Sequence, residues 1–199
     1  MNPNFADGLS EAVLFSRRNT LIAGAAALAA ASASVGGGIV SRVDKPVQAS
    51  DPAWLFVPTP MKVVDSMLQI ASVTKNDVVL DLGSGDGRIP IVAAQKFGAR
   101  GRGVDIDPVR ISEANANLKT SGVQSLVTFV EGDVFKVPVA DATVVTMFLF
   151  PHVVLRLRDR LRNELKPGTR IVSHEFMFHN WEPAKSEKVG NSTIYVWVV

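Results

Sequence analysis

Segments with helix-like and strand-like patterns of apolar residues alternate along the chain from about residue 50 onward. Apolar residues at near-helical spacing predict an amphipathic helix over residues 59–73, and the apolar run Val78-Val79-Leu80 begins a predicted buried strand over residues 78–83. Residues 142–150 form a longer apolar run, which is typical of a parallel strand buried on both faces. Further strands are predicted over residues 101–107, 126–131 and 170–178, and further helices over residues 88–97, 108–120 and 151–165.

The order of these elements predicts the fold class. Strands that alternate with helices favour a mostly parallel sheet with helices on both of its faces. Residues 185–190 and 193–199 can pair through Gly190-Asn191 as an antiparallel hairpin. We therefore expect residues 50–199 to form one α/β domain, with a doubly wound, mostly parallel seven-stranded sheet and a C-terminal antiparallel hairpin.

Residues 1–49 have a different composition and are predicted to be a targeting or anchoring segment. The stretch Ser16-Arg17-Arg18-Asn19-Thr20-Leu21-Ile22 resembles twin-arginine export signals, although Thr20 and Ile22 replace the usual Phe and Lys. Residues 19–41 carry no charge and are rich in alanine, and Val47-Gln48-Ala49 offers a small-residue cleavage site. We expect a twin-arginine-type signal or an uncleaved membrane tether, hence an exported or membrane-associated protein. A coincidental arginine pair, and with it a cytoplasmic protein, is the alternative.

Charge and cysteine content narrow the possible chemistry. The chain has 21 Lys and Arg, 19 Asp and Glu, and a net charge of +2, without a long basic block, so no nucleic-acid partner is predicted. The absence of cysteine excludes disulfides, zinc–thiolate sites and thiol nucleophiles. The 3 histidines lack metal-ligand spacing, so no metal is expected. A solvated helix face is predicted for the charged residues Arg156, Arg158, Asp159, Arg160 and Arg162.

A glycine-rich loop after the first predicted strand is the most informative motif, Asp81-Leu82-Gly83-Ser84-Gly85-Asp86-Gly87. Glycines at alternate positions permit positive φ and let a ligand lie against the backbone. The third glycine comes one residue earlier than in the dinucleotide fingerprint G-x-G-x-x-G. The carboxylates of Asp81 and Asp86 would repel a pyrophosphate but suit a ligand with an amino group, such as S-adenosylmethionine (SAM). The loop resembles the D-x-G-x-G-x-G motif of class I SAM-dependent methyltransferases, which implies their Rossmann-like fold.

Two further acidic positions extend the predicted cofactor site. Asp105 lies about 20 residues beyond the loop, where a carboxylate can accept both ribose hydroxyls, and Ile106 would pack on the adenine. Asp107 is predicted to cap the following helix. The resemblance implies that Asp133 accepts a hydrogen bond from the adenine amino group, next to the backbone of Val134. The complete candidate set for the cofactor is Thr59, Asp81, Gly83, Ser84, Gly85, Gly87, Asp105, Ile106, Asp133 and Val134.

The segment after the fourth strand, Phe148-Leu149-Phe150-Pro151-His152, is where the resemblance places the meeting of methyl donor and acceptor. Aromatic side chains can hold an amine by cation–π contact, or they can simply end a buried strand. The catalytic or orienting candidates are Phe148, His152 and His174, although a lone histidine is more often structural. Thr59 is expected either to cap the first helix or to contact the cofactor, because the segment before that helix covers the cofactor in related enzymes.

Residues 56–60, 78–91, 101–108, 132–133, 143–151 and 165–174 together resemble one branch of these enzymes. The branch includes the ATP-synthase c-subunit lysine methyltransferase and its small bacterial relatives, which implies methylation of a protein lysine, often in a membrane protein. Phe148 departs from the branch, since Tyr is expected there. A methyltransferase for a small molecule or lipid, and a SAM-binding module without catalysis, are the alternatives. Export would separate the enzyme from SAM, which is made in the cytosol.

Overall fold

The computed structural model describes residues 56–199, and the predicted signal or tether at residues 1–49 lies outside them. The four helices of the described part are α1 (Met61–Ile70), α2 (Arg88–Phe97), α3 (Pro108–Thr120) and α4 (Pro151–Glu164). The strands are β1 (Val78–Leu82), β2 (Arg100–Asp105), β3 (Val127–Glu131), β4 (Val144–Met147), β5 (Arg170–His174), β6 (Lys185–Val189) and β7 (Ser192–Val198). No helix within residues 56–199 combines the length and apolarity needed to cross a bilayer.

All seven strands join one sheet in the order β3-β2-β1-β4-β5-β7-β6. The first five strands pair in parallel, whereas β7 runs antiparallel to both β5 and β6. This confirms the predicted doubly wound sheet with its antiparallel hairpin. The chain moves outward from β1 to β3 and then returns to the other side of β1 at β4. In open α/β sheets the carboxyl ends of the strands at such a reversal form a ligand-binding crevice.

Alternate residues of the central strands pack into separate cores on the two faces of the sheet. Val79 and Val144 lie in the core covered by α1 and α2, whereas Leu80 and Val145 lie in the core covered by α4. All four residues of β4 are buried, which is why that strand has no polar alternation. Because side chains alternate with a period of two, Asp81 and Thr146 face the same side as Val79 and Val144.

Two predicted strands end earlier than their apolar runs. β4 ends at Met147 rather than at residue 150, and β5 ends at His174 rather than at residue 178. After β5, Glu175 has a φ of 69° and the Phe176 N–H donates to the His174 carbonyl at 2.9 Å. This one-residue turn with positive φ is rare and strained, and it redirects the chain out of the sheet. Beyond these ends, Phe148, Leu149, Phe150 and Phe176 line the crevice, whereas Phe178 is buried in the core on the α4 side of the sheet.

Helix capping agrees with the prediction at α3 and differs at α1. The Asp107 carboxylate accepts the Val109 N–H at 2.8 Å and caps α3 as predicted. Helix α1 is shorter than predicted, and its N-cap position is Pro60, which makes no side-chain capping bond. Thr59 is therefore not a cap: its hydroxyl oxygen lies 3.4 Å from Nδ1 of His174, across the sheet surface.

Candidate active site

A cavity of about 440 Å³ opens at the carboxyl ends of the central strands, where the strand order reverses. The predicted cofactor residues that line it are Thr59, Asp81, Gly83, Ser84, Asp105, Ile106, Asp133 and Val134. Gly85 and Gly87 belong to the same loop but do not line the cavity. The structure thus gathers into one cavity side chains that lie up to 75 positions apart in sequence.

The glycine loop is shaped by its own backbone and by aromatic neighbours. Gly83, Gly85 and Gly87 have φ values of 78°, 54° and 80°, which residues with a Cβ rarely adopt. The loop turns because the N–H groups of Gly83 and Ser84 both donate to the Val104 carbonyl, at 2.8 and 2.9 Å. A Cβ on Gly85 would overlap the Phe56 ring. The glycines are therefore required by conformation, and at Gly85 and Gly87 also by packing, because a Cβ there would overlap the rings of Phe56 and Phe129, respectively.

Ser84 and Asp105 offer polar atoms to a ligand at this loop. The Ser84 hydroxyl is buried and has no partner within the described residues. Asp105 accepts the Gly85 N–H on Oδ2 at 2.9 Å and the Asp107 N–H on Oδ1 at 3.0 Å. These two bonds fix the orientation of the carboxylate, and each oxygen keeps a further lone pair for a hydroxyl donor.

Asp81 is an acidic group in an environment that favours a cationic ligand. Its side chain is almost fully buried, and the Thr146 hydroxyl donates to Oδ1 at 2.6 Å. Burial raises the pKa of Asp81 to about 7, the Thr146 hydrogen bond opposes this rise, and the negative charges of Asp105 and Asp86 add to it. An ammonium group next to this carboxylate would relieve the cost of ionising it.

A strap of residues 56–60 covers one side of the cavity. The Arg88 guanidinium donates to the Thr59 carbonyl at 2.8 Å and also pairs with Asp86. At the other end of the strap, the Phe56 ring packs on Gly85, with the Arg110 guanidinium carbon 4.9 Å from the ring centroid. The strap is thereby attached to the glycine loop at both ends.

The segment after β3 forms another wall of the cavity. The Asp133 carboxylate accepts the Phe135 N–H at 2.9 Å and lies 3.5 Å from the Lys136 ammonium. Arg160 of α4 donates to the Val134 carbonyl at 2.6 Å. This part of the wall is therefore fixed to α4, and Asp133 retains acceptor capacity towards the cavity.

The remaining wall is apolar and largely aromatic, formed by Phe135, Phe148, Leu149, Phe150, Val153 and Phe176. Phe148 and Phe176 stack with their centroids 6.3 Å apart, and Phe148 also contacts the His174 ring at 4.0 Å. His174 is buried behind Phe148, and burial lowers its pKa below the ordinary value despite the nearby Glu175. Of the three predicted catalytic or orienting residues, Phe148 lines the cavity, whereas His174 and the exposed His152 do not.

These groups fit SAM. Asp81 offers a carboxylate to an ammonium group, and Asp105 offers one to a ribose. The Ser84 hydroxyl, which has no partner among the described residues, can bond a further polar atom, and the exposed surface of Ile106 can pack on an adenine. Within residues 56–199 no cluster of metal-ligating side chains accompanies them.

Comparison with known proteins decides the family. A family model described as the ANTKMT methyltransferase domain matches residues 81–185. The chain belongs to this family. The methyltransferase is 48% identical to a protein-lysine N-methyltransferase of Saccharolobus islandicus, over 72% of this chain and 92% of the relative. It is 29% identical to the human ATP-synthase c-subunit lysine N-methyltransferase, over 71% of this chain and 60% of the human protein.

A solved structure supports the fold and the cofactor of the methyltransferase. The crystal structure of an RNA methyltransferase from Salinibacter ruber in complex with S-adenosylhomocysteine matches with a TM-score of 0.70 and 48% identity, over 71% of this chain and 93% of that chain. These findings confirm the predicted Rossmann-like class I fold, the SAM cofactor and the methyltransferase activity.

The candidate site also contains residues that the sequence analysis missed. Three of them, Phe56, Arg88 and Arg110, line the cavity. The fourth, Thr146, does not line the cavity but donates a hydrogen bond to Asp81, which does. Thr146 is the one polar residue within β4, and that interruption of an apolar run was the available signal. Its partner Asp81 lies 65 positions away, so only the register of the sheet reveals the contact.

Proposed function

We propose that this methyltransferase transfers the methyl group of SAM to the ε-amino group of a lysine in a protein. The observation that carries the proposal is the size and polarity of the cavity. Its volume of about 440 Å³ lies in the lower part of the range for small-molecule sites, roughly 300–1,000 Å³. The part of the wall that contains Phe148 is apolar and largely aromatic, which suits the aliphatic chain and the amino group of a lysine. Lysine methylation by two relatives supports the same choice.

The aromatic wall suits an amine as acceptor. Apolar surroundings lower the pKa of a lysine ammonium and so favour the neutral, nucleophilic amine. In the part of the chain that the structure describes, the acidic and basic groups of the cavity lie on its cofactor side, so we infer that the proton leaves to solvent. The faces of Phe148 and Phe176 then stabilise the positive charge of the methylated product by cation–π contact.

We assign the cofactor contacts as follows. Asp105 accepts the ribose hydroxyls, Asp133 accepts the adenine amino group, Ile106 packs on the adenine ring, and Asp81 accepts the ammonium group. Ser84 supplies a further hydrogen bond from its buried hydroxyl. The bound cofactor supplies a methyl group on a sulfonium, which is a good leaving group. The protein therefore contributes mainly alignment, which accounts for about 7–11 kcal/mol of barrier reduction in well-oriented systems.

Mass spectrometry of acceptors after incubation with the full chain and SAM tests this proposal. Protein, free lysine, RNA and lipid are offered separately, and methylated lysine is expected in protein. Phe148→Leu is expected to lose turnover while keeping its affinity for S-adenosylhomocysteine. Phe97→Leu, a half-buried aromatic of α2 outside the cavity, is the matched control and must retain turnover. Methylation of RNA, lipid or a small molecule without protein would refute the proposal.

We also propose that residues 1–49 act as a twin-arginine-type signal or membrane tether and that the methyltransferase domain begins near residue 50. Its support is the sequence pattern: an arginine pair, an uncharged span over residues 19–41 and a small-residue site at Ala49. Fractionation of cells that express the full chain, with a variant carrying Arg17→Lys and Arg18→Lys, tests this. Recovery of both proteins in the cytoplasm would refute it.

A further inference from the structure

Asp81 and Thr146 form a buried polar pair directly beneath the cavity. The two residues are register partners of the parallel strands β1 and β4, so their side chains leave the same face of the sheet next to each other. The exposed fractions of Asp81 and Thr146 are 2% and 0%, and the hydroxyl donates to Oδ1 at 2.6 Å. Asp81 lines the cavity, whereas Thr146 does not.

The Thr146 hydroxyl is the only hydrogen-bond donor to the Asp81 carboxylate within residues 56–199. The other charged groups that act on Asp81 are the carboxylates of Asp105 and Asp86, and both disfavour its ionised form. The Arg88 guanidinium is bonded to Asp86 and to the Thr59 carbonyl. The Thr146 hydroxyl is therefore the one contact among the described residues that holds the Asp81 carboxylate in place, and it favours the ionised form against burial and the two neighbouring carboxylates.

We propose that Thr146 is a positioning residue of the methyltransferase: its hydroxyl fixes the Asp81 carboxylate in the orientation that receives the ammonium group of SAM. The inference rests on the proposed role of Asp81 in the cofactor site. Thr146 acts through its proton, because an ionised carboxylate can only accept. One oxygen of Asp81 is held by the hydroxyl, and the other has no protein donor within the described residues and remains for the ligand.

The proposal predicts a change in the pH dependence of cofactor binding. In the wild type, affinity for S-adenosylhomocysteine falls as the pH drops through about 7, because protonation neutralises Asp81. Thr146→Val keeps the shape of the side chain and removes the donor. Its binding profile is expected to move to higher pH, with affinity at neutral pH reduced roughly tenfold or more, as for other hydrogen bonds to charged groups. Thr146→Ser restores the donor and is expected to restore the profile.

Calorimetric titration of the full chain with S-adenosylhomocysteine on both sides of neutral pH measures these profiles. The ionisation of the ligand itself is common to all variants and does not affect their comparison. Thr143→Val is the matched control, since the Thr143 hydroxyl donates to the Asp77 carboxylate at 2.7 Å outside the cavity. It removes the same kind of bond, and also the bond that the Thr143 hydroxyl accepts from the Val78 N–H, so it is expected to lower stability without moving the binding profile.

Three outcomes would overturn the role of Thr146: an unshifted profile in Thr146→Val, an equal shift in Thr143→Val, or no recovery in Thr146→Ser. If the valine variant does not fold, Thr146→Cys replaces it as a weak donor, and an unshifted profile in that variant also overturns the role. Failure of the wild type to bind at any pH would instead refute the cofactor site itself. The two failures are therefore distinguishable.

Discussion

Asp81→Asn is expected to stabilise the ligand-free protein in a pH-dependent manner. In the unfolded chain this carboxyl ionises near its ordinary pKa of 3.8, whereas burial in the folded chain raises the pKa to about 7. Between these values the folded state binds more protons than the unfolded state. The free energy of unfolding therefore falls as the pH rises through this window, and the full penalty is present above about 7.

The size of the effect follows from the distance between the two pKa values. A difference of one pKa unit corresponds to about 1.4 kcal/mol. The free-energy cost of ionising the buried Asp81 carboxyl, which asparagine removes, therefore reaches roughly 4 kcal/mol at most for a rise from 3.8 to about 7. Asparagine keeps an oxygen for the Thr146 hydroxyl, and the unpaired amide adds an offset that does not depend on pH. The diagnostic quantity is thus the slope of the stability difference between variant and wild type.

Urea unfolding of the full chain without ligand, at a series of pH values, measures that slope. The stability of Asp81→Asn relative to the wild type must grow between about pH 4 and pH 7 and then level off. Asp141→Asn is the control: desolvation raises the pKa of Asp141, but the hydrogen bond and charge of Arg102 outweigh it and lower the pKa overall. That variant is expected to show a slope of opposite sign only at the acid end of the series, as the pH falls through the ordinary value of 3.8, and not between pH 4 and pH 7. A constant difference for Asp81→Asn would refute the reasoning.

Three further substitutions test other contacts of the site. Gly85→Ala places a Cβ on the Phe56 ring at a φ of 54°, so denaturation should show a loss of about 1–3 kcal/mol, and an unchanged stability would contradict the packing. His174→Asn keeps a polar atom near Nδ1 for Thr59, whereas His174→Gln does not. Steady-state kinetics should therefore show that the KM for SAM rises about two- to tenfold in the glutamine variant and stays unchanged in the asparagine variant. Equal KM values in the two variants would exclude a role for the contact between Thr59 and His174 in cofactor binding. Asp105→Ala removes a charged acceptor, so calorimetry should show roughly tenfold or greater loss of affinity for S-adenosylhomocysteine, and retained affinity would remove Asp105 from the ribose site.

Much of the fold was predictable because its determinants are local. Residues only a few positions apart in the sequence set each of these features: the periods of the strands and helices, the glycine loop and the Asp107 cap. Together with the rule that ligands bind at the carboxyl ends of the strands, they also predicted that Asp81 and Asp105 belong to one site. The resemblance to class I methyltransferases added Asp133, and all three residues line the same cavity.

The remaining features depend on contacts between distant parts of the chain. Residues 175–178 continue the apolar pattern of β5, but the positive φ of Glu175 ends the strand, and no residue type in the sequence signals that turn. The arginines of α4 were expected to be solvated, whereas Arg160 donates to the Val134 carbonyl and Arg156 lies 3.9 Å from the Phe135 ring centroid. Long side chains of this kind find partners only once the tertiary structure brings them near.

The position of β7 in the sheet has a consequence for the order of assembly. β7 follows both β5 and β6 in the chain, yet it lies between them. The sixth strand therefore cannot join the sheet before the seventh, and it enters either together with β7 or after it. Until β7 pairs, the edge of β5 remains open, and an open edge is a template for pairing with another chain. Partly synthesised or truncated chains that lack β7 therefore leave this edge unpaired, and they are more exposed to aggregation than chains in which β7 has paired with β5.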